Sequence, residues 1–596
     1  MSTMADSPHI AEATVRVDCG APQGPVRRIW TSFGFDEINW TSMPAGKRHL
    51  RTIGAFAEQP YYVRSHYIFN SGIGWSLPHW GAGNVYHEDA AGRPVYDFSI
   101  ADQVYDAVIH AGHRPLVELA FTPRALVPDD AEARFAYEPS PTQWSPYEAG
   151  LWAMPPKDYD KWGGLVRALV EHCVERYGAE SVRGWLWELW NEPDIYYWRG
   201  TAEQFHALYD VTAAAVKAAL PEASVGGPAT TGDLGPGRRG HEFLRGFLAH
   251  CAQRGTPLDF VSFHTKGARY TPWRVYGPLG GPAPTRQSPS SLKMLREVHA
   301  ALGAVAAHPR FRDLPCIVDE CDASVPAHWG VFDNANFGYR NTEYFAVFQC
   351  KLMKKLLDLD ARTAARVHQA TTWSFYFEGE RFFEGTRSLF TAQGIEKPVL
   401  NAYRMLGRLG DTRLATESSR AWPLDRLDDG ETGMPEEVDA LATSRDGASV
   451  QILVWRHADD QYATDARETD VTLRVERVPF AGDVRVHHTR IDARYSNSHS
   501  VWQAFGRPQD PSEAQVRAIK ERQGLERFGP DRIEPVRDGV VTLRCAWRCR
   551  CRACRCSRSV PRPDRGRRRA AVEYHVGLDG ARAFTRGAHP PGGITW

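Results

Sequence analysis

The chain has 596 residues, 42% hydrophobic and 11% aromatic with 19 Trp, enough to bury a large core in two to four domains or in one barrel with a smaller companion. Formal charge is zero, but residues 544–569 hold eleven Arg against one acid, Asp564, and residues 570–596 balance, so residues 1–543 carry −10. An acidic body argues against nucleic acid or an anionic membrane as the main partner, and no run of eighteen apolar residues is present to span a bilayer.

In chain order, the opening MSTMADSPHIAEATVRVDCG has no basic stretch and no apolar core of a secretory leader. Six scattered Cys in residues 1–543 fit reduced thiols better than a disulfide framework, so a cytoplasmic location is expected. Eight short apolar segments follow, at 29–35, 61–69, 114–121, 184–192, 223–229, 259–265, 316–322 and 370–378. Amphipathic stretches with three- and four-residue spacing lie between several of them, at 100–111, 159–177 and 202–220. Strand and helix alternating eight times is the pattern of an α/β (β/α)₈ barrel, assigned to residues 25–408. After about Gly410 the helical period fades, and alternating runs at 449–454, 471–475, 483–487 and 539–544 predict a small accessory β-sandwich over 409–543. The early run 13–17 (ATVRV) can add a strand to it, which makes residues 1–24 an N-terminal segment joining the sandwich. Residues 505–536 are polar and read as a loop with a short helix.

The tail, 544–596, differs in kind. It holds five Cys among its arginines. Cys551-x-x-Cys554 is half of a zinc pattern, but no second C-x-x-C follows. A basic nucleic-acid arm is another reading. Arg/Cys/Ser/Pro-rich text is also what a GC-rich gene yields in a shifted frame, and a disordered or frame-shifted tail is the reading preferred here.

The most informative stretch is 185–194, W-L-W-E-L-W-N-E-P-D. An apolar aromatic run looks like a buried strand, and Pro193 cannot donate a ladder hydrogen bond, so the strand should stop there. That leaves Asn191 and Glu192 at the C-terminal tip of the fourth strand. The bland alternative is a turn capped by Asn and Glu. The seventh strand, CIVDECD, brings Asp319, Glu320 and Asp322 to its own tip. In a (β/α)₈ barrel all tips gather on the face where active sites lie, with strands four and seven nearly opposite. Two carboxylates reaching in from there can lie ~5–5.5 Å apart, as double displacement at a sugar requires. One carboxyl must be protonated to release the leaving oxygen and the other ionised to attack, and close carboxyls push their pKa values apart. Glu192, beside Trp190, suits the acid/base role, and Asn191 can hydrogen-bond the sugar 2-hydroxyl.

The segment 185–194 resembles the signature of glycoside hydrolase family 39, roughly W-x-F-E-x-W-N-E-P-[DN], with Trp187 where the pattern has Phe. The resemblance runs through Phe33-Gly34-Phe35-Asp36-Glu37, Arg64-Ser65-His66, Ser262-Phe263-His264 and Asp319-Glu320 to GIEKPVLNAY at 394–403. It implies a retaining enzyme of the 4/7 barrel superfamily that needs no metal or cofactor, with Glu192 as acid/base and Glu320 as nucleophile. The choice of Glu320 over its acidic neighbours rests on the resemblance. The family includes β-xylosidases and α-L-iduronidases, and D-E-C-D looks closer to the D-E-A-D of the second branch.

Further site residues follow. Arg64 and His66 share one face of strand two. Arg64 can hold Glu320 ionised or pair structurally with Glu118, His66 can bind a sugar hydroxyl, and His264 can bind a sugar hydroxyl or sit in the core. Trp373 on strand eight is a stacking platform or ordinary packing, and Glu378 follows Phe377 near where the family places a sugar-binding Glu. Lys266 and Arg387 resemble residues of the iduronidase branch that meet the C5 carboxylate. The expected partner is an oligosaccharide, and association with further copies of the chain stays open. The expected activity is release of terminal β-1,4-linked xylose. A uronidase is the alternative, and a non-catalytic carbohydrate-binding barrel the third reading.

Overall fold

The structure is a computed structural model, and it describes residues 11–35, 37–71, 82–130, 151–235, 237–270, 285–377, 381–447, 449–463, 469–547, 571–573 and 578–580. Eight parallel strands follow one another around a barrel: β1 Ser32–Phe35, β2 Tyr62–Ser65, β3 Arg114–Leu119, β4 Leu186–Leu189, β5 Ser224–Thr230, β6 Phe260–Lys266, β7 Pro315–Asp322 and β8 Arg366–Ala370. A bridge from Phe33 to Thr372 closes the ring. The expected (β/α)₈ barrel with a separate sheet domain is therefore found.

Helices on the outside bury one stripe each. Tyr159–Tyr177 starts where the Asp158 side chain accepts from the Lys161 amide. Ala202–Ala219 begins with a reciprocal Thr201/Gln204 box that satisfies two of the free amides of its first turn. Inside the barrel, Leu116, Phe260 and Ile317, flanked by Tyr62 and Leu186, fill one apolar layer. The interior is thus packed rather than open, and polar groups concentrate further along the strands, toward their C-terminal ends.

Several strand ends differ from the sequence reading, the second strand stopping at Ser65 instead of 69, and two of the differences bear on the site. The fourth was expected over 184–192 and to stop at Pro193. It stops at Leu189, because Trp190 and Glu192 adopt left-handed backbone, φ 68° and 46°. The eighth was expected over 370–378, yet it covers Arg366–Ala370. The run 371–377 is wholly buried, which is why it reads as strand, but its amides serve both neighbours: Thr371 donates to Val318, Thr372 to Ser32 and Phe375 to Gly34. Trp373 therefore lies past the strand, and it crosses β1 where Gly34 leaves room. A Cβ at Gly34 would sit 1.5 Å from Trp373 Cε3.

The sheet domain pairs a nine-stranded sheet with a three-stranded one over a core that includes Val15, Val17, Ile452, Leu473, Val484 and Leu543. Strand Glu12–Pro25 lies between Thr412–Ser418, antiparallel, and Thr469–Glu476, parallel. The segment read as a loop with one short helix holds helix Glu513–Glu521 and two short strands, Glu526–Arg527 and Arg532–Pro535. Beyond residue 543 the last long strand continues to Trp547, and Ala571–Glu573 and Leu578–Gly580 pair within the two sheets. The rest of 548–596, including Cys551 and Cys554, lies outside the described residues.

The barrel helix Glu343–Asp358 carries the sheet domain. Its Lys351 Nζ lies 2.9 Å from Asp459, Lys354 2.7 Å from Asp439, and Lys355 2.9 Å from both Glu437 and Asp439. Burial opposes the Asp439 charge, but the two lysines prevail and its carboxyl is pulled down to about 2. Among the described residues no helix is long and apolar enough to cross a membrane.

Candidate active site

The polar ends of β2, β4, β6 and β7 meet in one buried cluster. Arg64 is at its centre, with its side chain wholly buried. Its guanidinium lies 2.7 Å from Glu118, 2.7 Å from Glu188, 3.3 Å from Glu320 and 3.4 Å from Asp319, and it donates to Asn191 Oδ1 at 3.2 Å. The two roles considered for Arg64, holding Glu320 or pairing with Glu118, are both filled by one side chain.

Glu320 is ringed by cations. Arg64 contacts Oε1, Lys266 Nζ contacts Oε2, and His264 Nδ1 and Arg387 Nη2 lie 3.8 and 4.0 Å from Oε2. Burial alone would raise its pKa, but Lys266, His264, Arg64 and Arg387 together hold the carboxyl well below the usual range. Glu320 is thus kept ionised. Lys266 also donates to Asp322 at 2.5 Å, and Arg387 pairs with the same Asp322. Burial draws the Lys266 ammonium below its ordinary value against the pull of Glu320.

Glu192 follows a strained turn. Left-handed backbone at two non-glycine residues costs about 1–3 kcal/mol each, a cost found where geometry serves a site. The turn is held from three sides: the Glu192 amide donates to Ala229, Trp190 Nε1 to Tyr197, and Asp194 accepts from the amide and hydroxyl of Thr231 at 2.8 and 2.6 Å. The Glu192 side chain, 14% exposed, accepts from His264 Nδ1 at 2.9 Å. One oxygen of Glu192, one of Glu320 and a ring nitrogen of His264 lie within 4.8 Å of one another. These residue types can bind metals, but three further cations already crowd Glu320, which disfavours a dication there.

A pocket of about 210 Å³ opens over the two glutamates. Asn191, His66, Trp373, Lys266 and Arg387, named from the sequence as candidate substrate contacts, also line it. Arg64 lies beneath it. His264 does not line it: its other nitrogen, Nε2, is 3.3 Å from Asp319 Oδ2, so both ring nitrogens face carboxylates instead of a sugar hydroxyl. Glu378 lies outside the described residues. His66 bonds Glu118 through Nδ1 and is 3.8 Å from Glu320 through Nε2. Burial, with Arg64 beside it, keeps its imidazole well below the ordinary value and hence neutral. The Trp373 ring stands edge-on to His66, 4.6 Å between centroids.

Sequence reasoning missed Tyr67, Tyr196, Tyr197, Thr231 and Arg269 on the pocket wall. A signal existed for two of them: Tyr196-Tyr197 follows N-E-P-D after the single residue Ile195. Thr231 and Arg269 follow strand tips on β5 and β6, where residue type alone gave no reason to single them out.

A family model for glycosyl hydrolases family 39 matches residues 13–525. A beta-xylosidase of Geobacillus stearothermophilus is 27% identical over 473 residues, 78% of this chain and 80% of its own length. An alpha-L-iduronidase of Mus musculus is 24% identical over 556 residues, 87% of this chain and 76% of its own. Among solved structures, a monomeric beta-xylosidase from Caulobacter crescentus CB15 superposes with a TM-score of 0.69 at 24% identity, over 96% of this chain and 100% of that one, a likeness of fold. With a single model spanning barrel and sheet domain alike, the chain belongs to glycosyl hydrolases family 39.

Proposed function

We propose that this glycoside hydrolase is a retaining exo-β-xylosidase that removes terminal xylose from xylo-oligosaccharides. The observation that carries the reading is the approach of Glu192 and Glu320 to within 4.8 Å on the wall of a pocket sized for one sugar ring. Glu320, held ionised, attacks the anomeric carbon while Glu192 gives its proton to the leaving oxygen. A glycosyl ester on Glu320 results. Glu192, now a carboxylate, takes a proton from water as that water attacks the same carbon, and the sugar leaves with its configuration retained. Asn191 bonds the 2-hydroxyl, and Trp373 offers an apolar face to the ring.

A neutral sugar is favoured because Lys266 and Arg387 already face Asp322 and Glu320. A uronide is the second reading, favoured by the position of those same two cations on the pocket wall. Nitrophenyl β-D-xyloside and α-L-iduronide, assayed side by side, decide between them: turnover of the uronide alone overturns the xylosidase. Glu320→Ala abolishes hydrolysis, and azide restores release of the phenol with an inverted glycosyl azide. Wild-type rates in that variant refute the nucleophile.

A further inference from the structure

Below the two glutamates lies a second pair of carboxyls that the reaction does not use. Glu188 on β4 and Asp319 on β7 are both wholly buried, and Arg64 faces both. Glu188 Oε2 takes the Arg64 Nε–H at 2.7 Å. Asp319 Oδ2 faces two cations, His264 Nε2 at 3.3 Å and Arg64 Nη2 at 3.4 Å. His264 in turn donates from Nδ1 to Glu192 Oε1 at 2.9 Å.

We propose that Asp319, through its ion pair with His264, and His264, through its hydrogen bond to Glu192, are positioning residues for the acid/base step. The inference rests on the reading of Glu192 as acid/base. It explains why Asp precedes Glu320 on β7, and why a histidine at the tip of β6 turns away from the pocket. It also gives the Glu192 carboxyl a fixed direction. With Oε1 held by His264, Oε2 is left for the leaving oxygen. When Glu192 has given up its proton, the same Nδ1–H stabilises the carboxylate until water returns one, and the histidine keeps its own proton throughout.

The charged and titratable neighbours agree. Facing His264 are Glu192, Asp319, Glu320 and, just past the end of β2, His66. Burial opposes its charge, but Glu320, Asp319 and Glu192 outweigh burial and push the imidazole to about 10, an imidazolium at neutral pH.

Two measurements test the proposal, with whichever aryl glycoside the enzyme turns over. Asp319→Asn removes the anion that fixes His264. We expect kcat/KM to fall about 100-fold for a phenyl glycoside, whose leaving group needs a proton, and less than about tenfold for the dinitrophenyl glycoside, which does not. Equal losses on both overturn the proposal. Glu192→Ala, run in parallel, must show the same selectivity. If it treats both leaving groups alike, the acid/base reading itself has failed, whatever Asp319→Asn does. Should Asp319→Asn not fold, His264→Asn is measured on the same two glycosides: the same selective loss supports the proposal, and equal losses overturn it.

Discussion

Lys266→Met probes the site most sharply. Nζ touches two buried carboxylates, Glu320 and Asp322 at 2.5 Å, and is itself 5% exposed. At an effective dielectric of 20, unit charges 2.5–4 Å apart interact by about 4–7 kcal/mol before desolvation is subtracted. Glu320 keeps Arg64 at 3.3 Å and Arg387 at 4.0 Å, and Asp322 keeps Arg387, so the variant is not left with a bare anion. The loss should therefore fall at the lower end of the 3–5 kcal/mol typical of a broken buried pair, about 3 kcal/mol at pH 7. The pH dependence has a definite sign. Glu320 is depressed in the folded state, so its stabilising contribution is present above the unfolded carboxylate value of about 4.3 and is lost as pH falls through the folded one. Removing Lys266 raises the folded value and moves both the stability loss and the acid limb of kcat/KM to higher pH. Urea unfolding and rate profiles between pH 4 and 8 measure both. An acid limb that stays in place, or a stability within 0.5 kcal/mol of wild type (the usual scatter for surface substitutions), would refute the electrostatic account of the nucleophile.

Gly34→Ala places a Cβ 1.5 Å from Trp373 Cε3 and should cost about 1–3 kcal/mol by overpacking, with KM rising as the indole is displaced, seen by kinetics and tryptophan fluorescence. Asp194→Ala frees Thr231 from the turn that carries Glu192 and is expected to lower kcat more than it raises KM; a pure KM effect would mean that the turn does not depend on this tie. Asp439, pulled down to about 2 between Lys354 and Lys355, contributes about 2 kcal/mol above the unfolded value of about 3.9 that disappears as pH falls through about 2. Asp439→Asn should therefore flatten the stability curve over pH 4 to 2, and an unchanged slope there speaks against the pairing.

Much of the site was legible because the barrel converts strand count into position. Counting β4 and β7 was enough to set Glu192 opposite the acidic tip of β7, and the family resemblance picked Glu320 from its acidic neighbours there. The partners of His264 were not legible, since which groups face a ring nitrogen depends on register shifts near residues 228–230 and 318–320 that leave no mark in sequence. The early end of β4 was hidden for a related reason: nothing marks Trp190 as left-handed until Asp194 and Tyr197 are seen to hold the turn. Hydrophobic runs misplaced β8, because 371–377 is wholly buried, lying between the first and seventh strands and bonded to both. Lys351, Lys354 and Lys355 resemble the solvated face of an amphipathic helix, yet Glu343 through Leu357 are all buried because a second domain covers the side that usually meets water.

Strand Glu12–Pro25 has a consequence for how the molecule is made. Thr14 meets Ser419 across 405 positions of chain, and its other neighbour is Thr469–Glu476. At about 5–20 residues per second, this strand waits roughly 20–80 s for its nearer partner, while the barrel between them can already close. During that wait ATVRV is an unpaired edge of the kind that recruits strands from other chains. Glu12, Arg16 and Asp18 punctuate its valines with charge, and these side chains guard the nascent protein before they have any partner in the finished one.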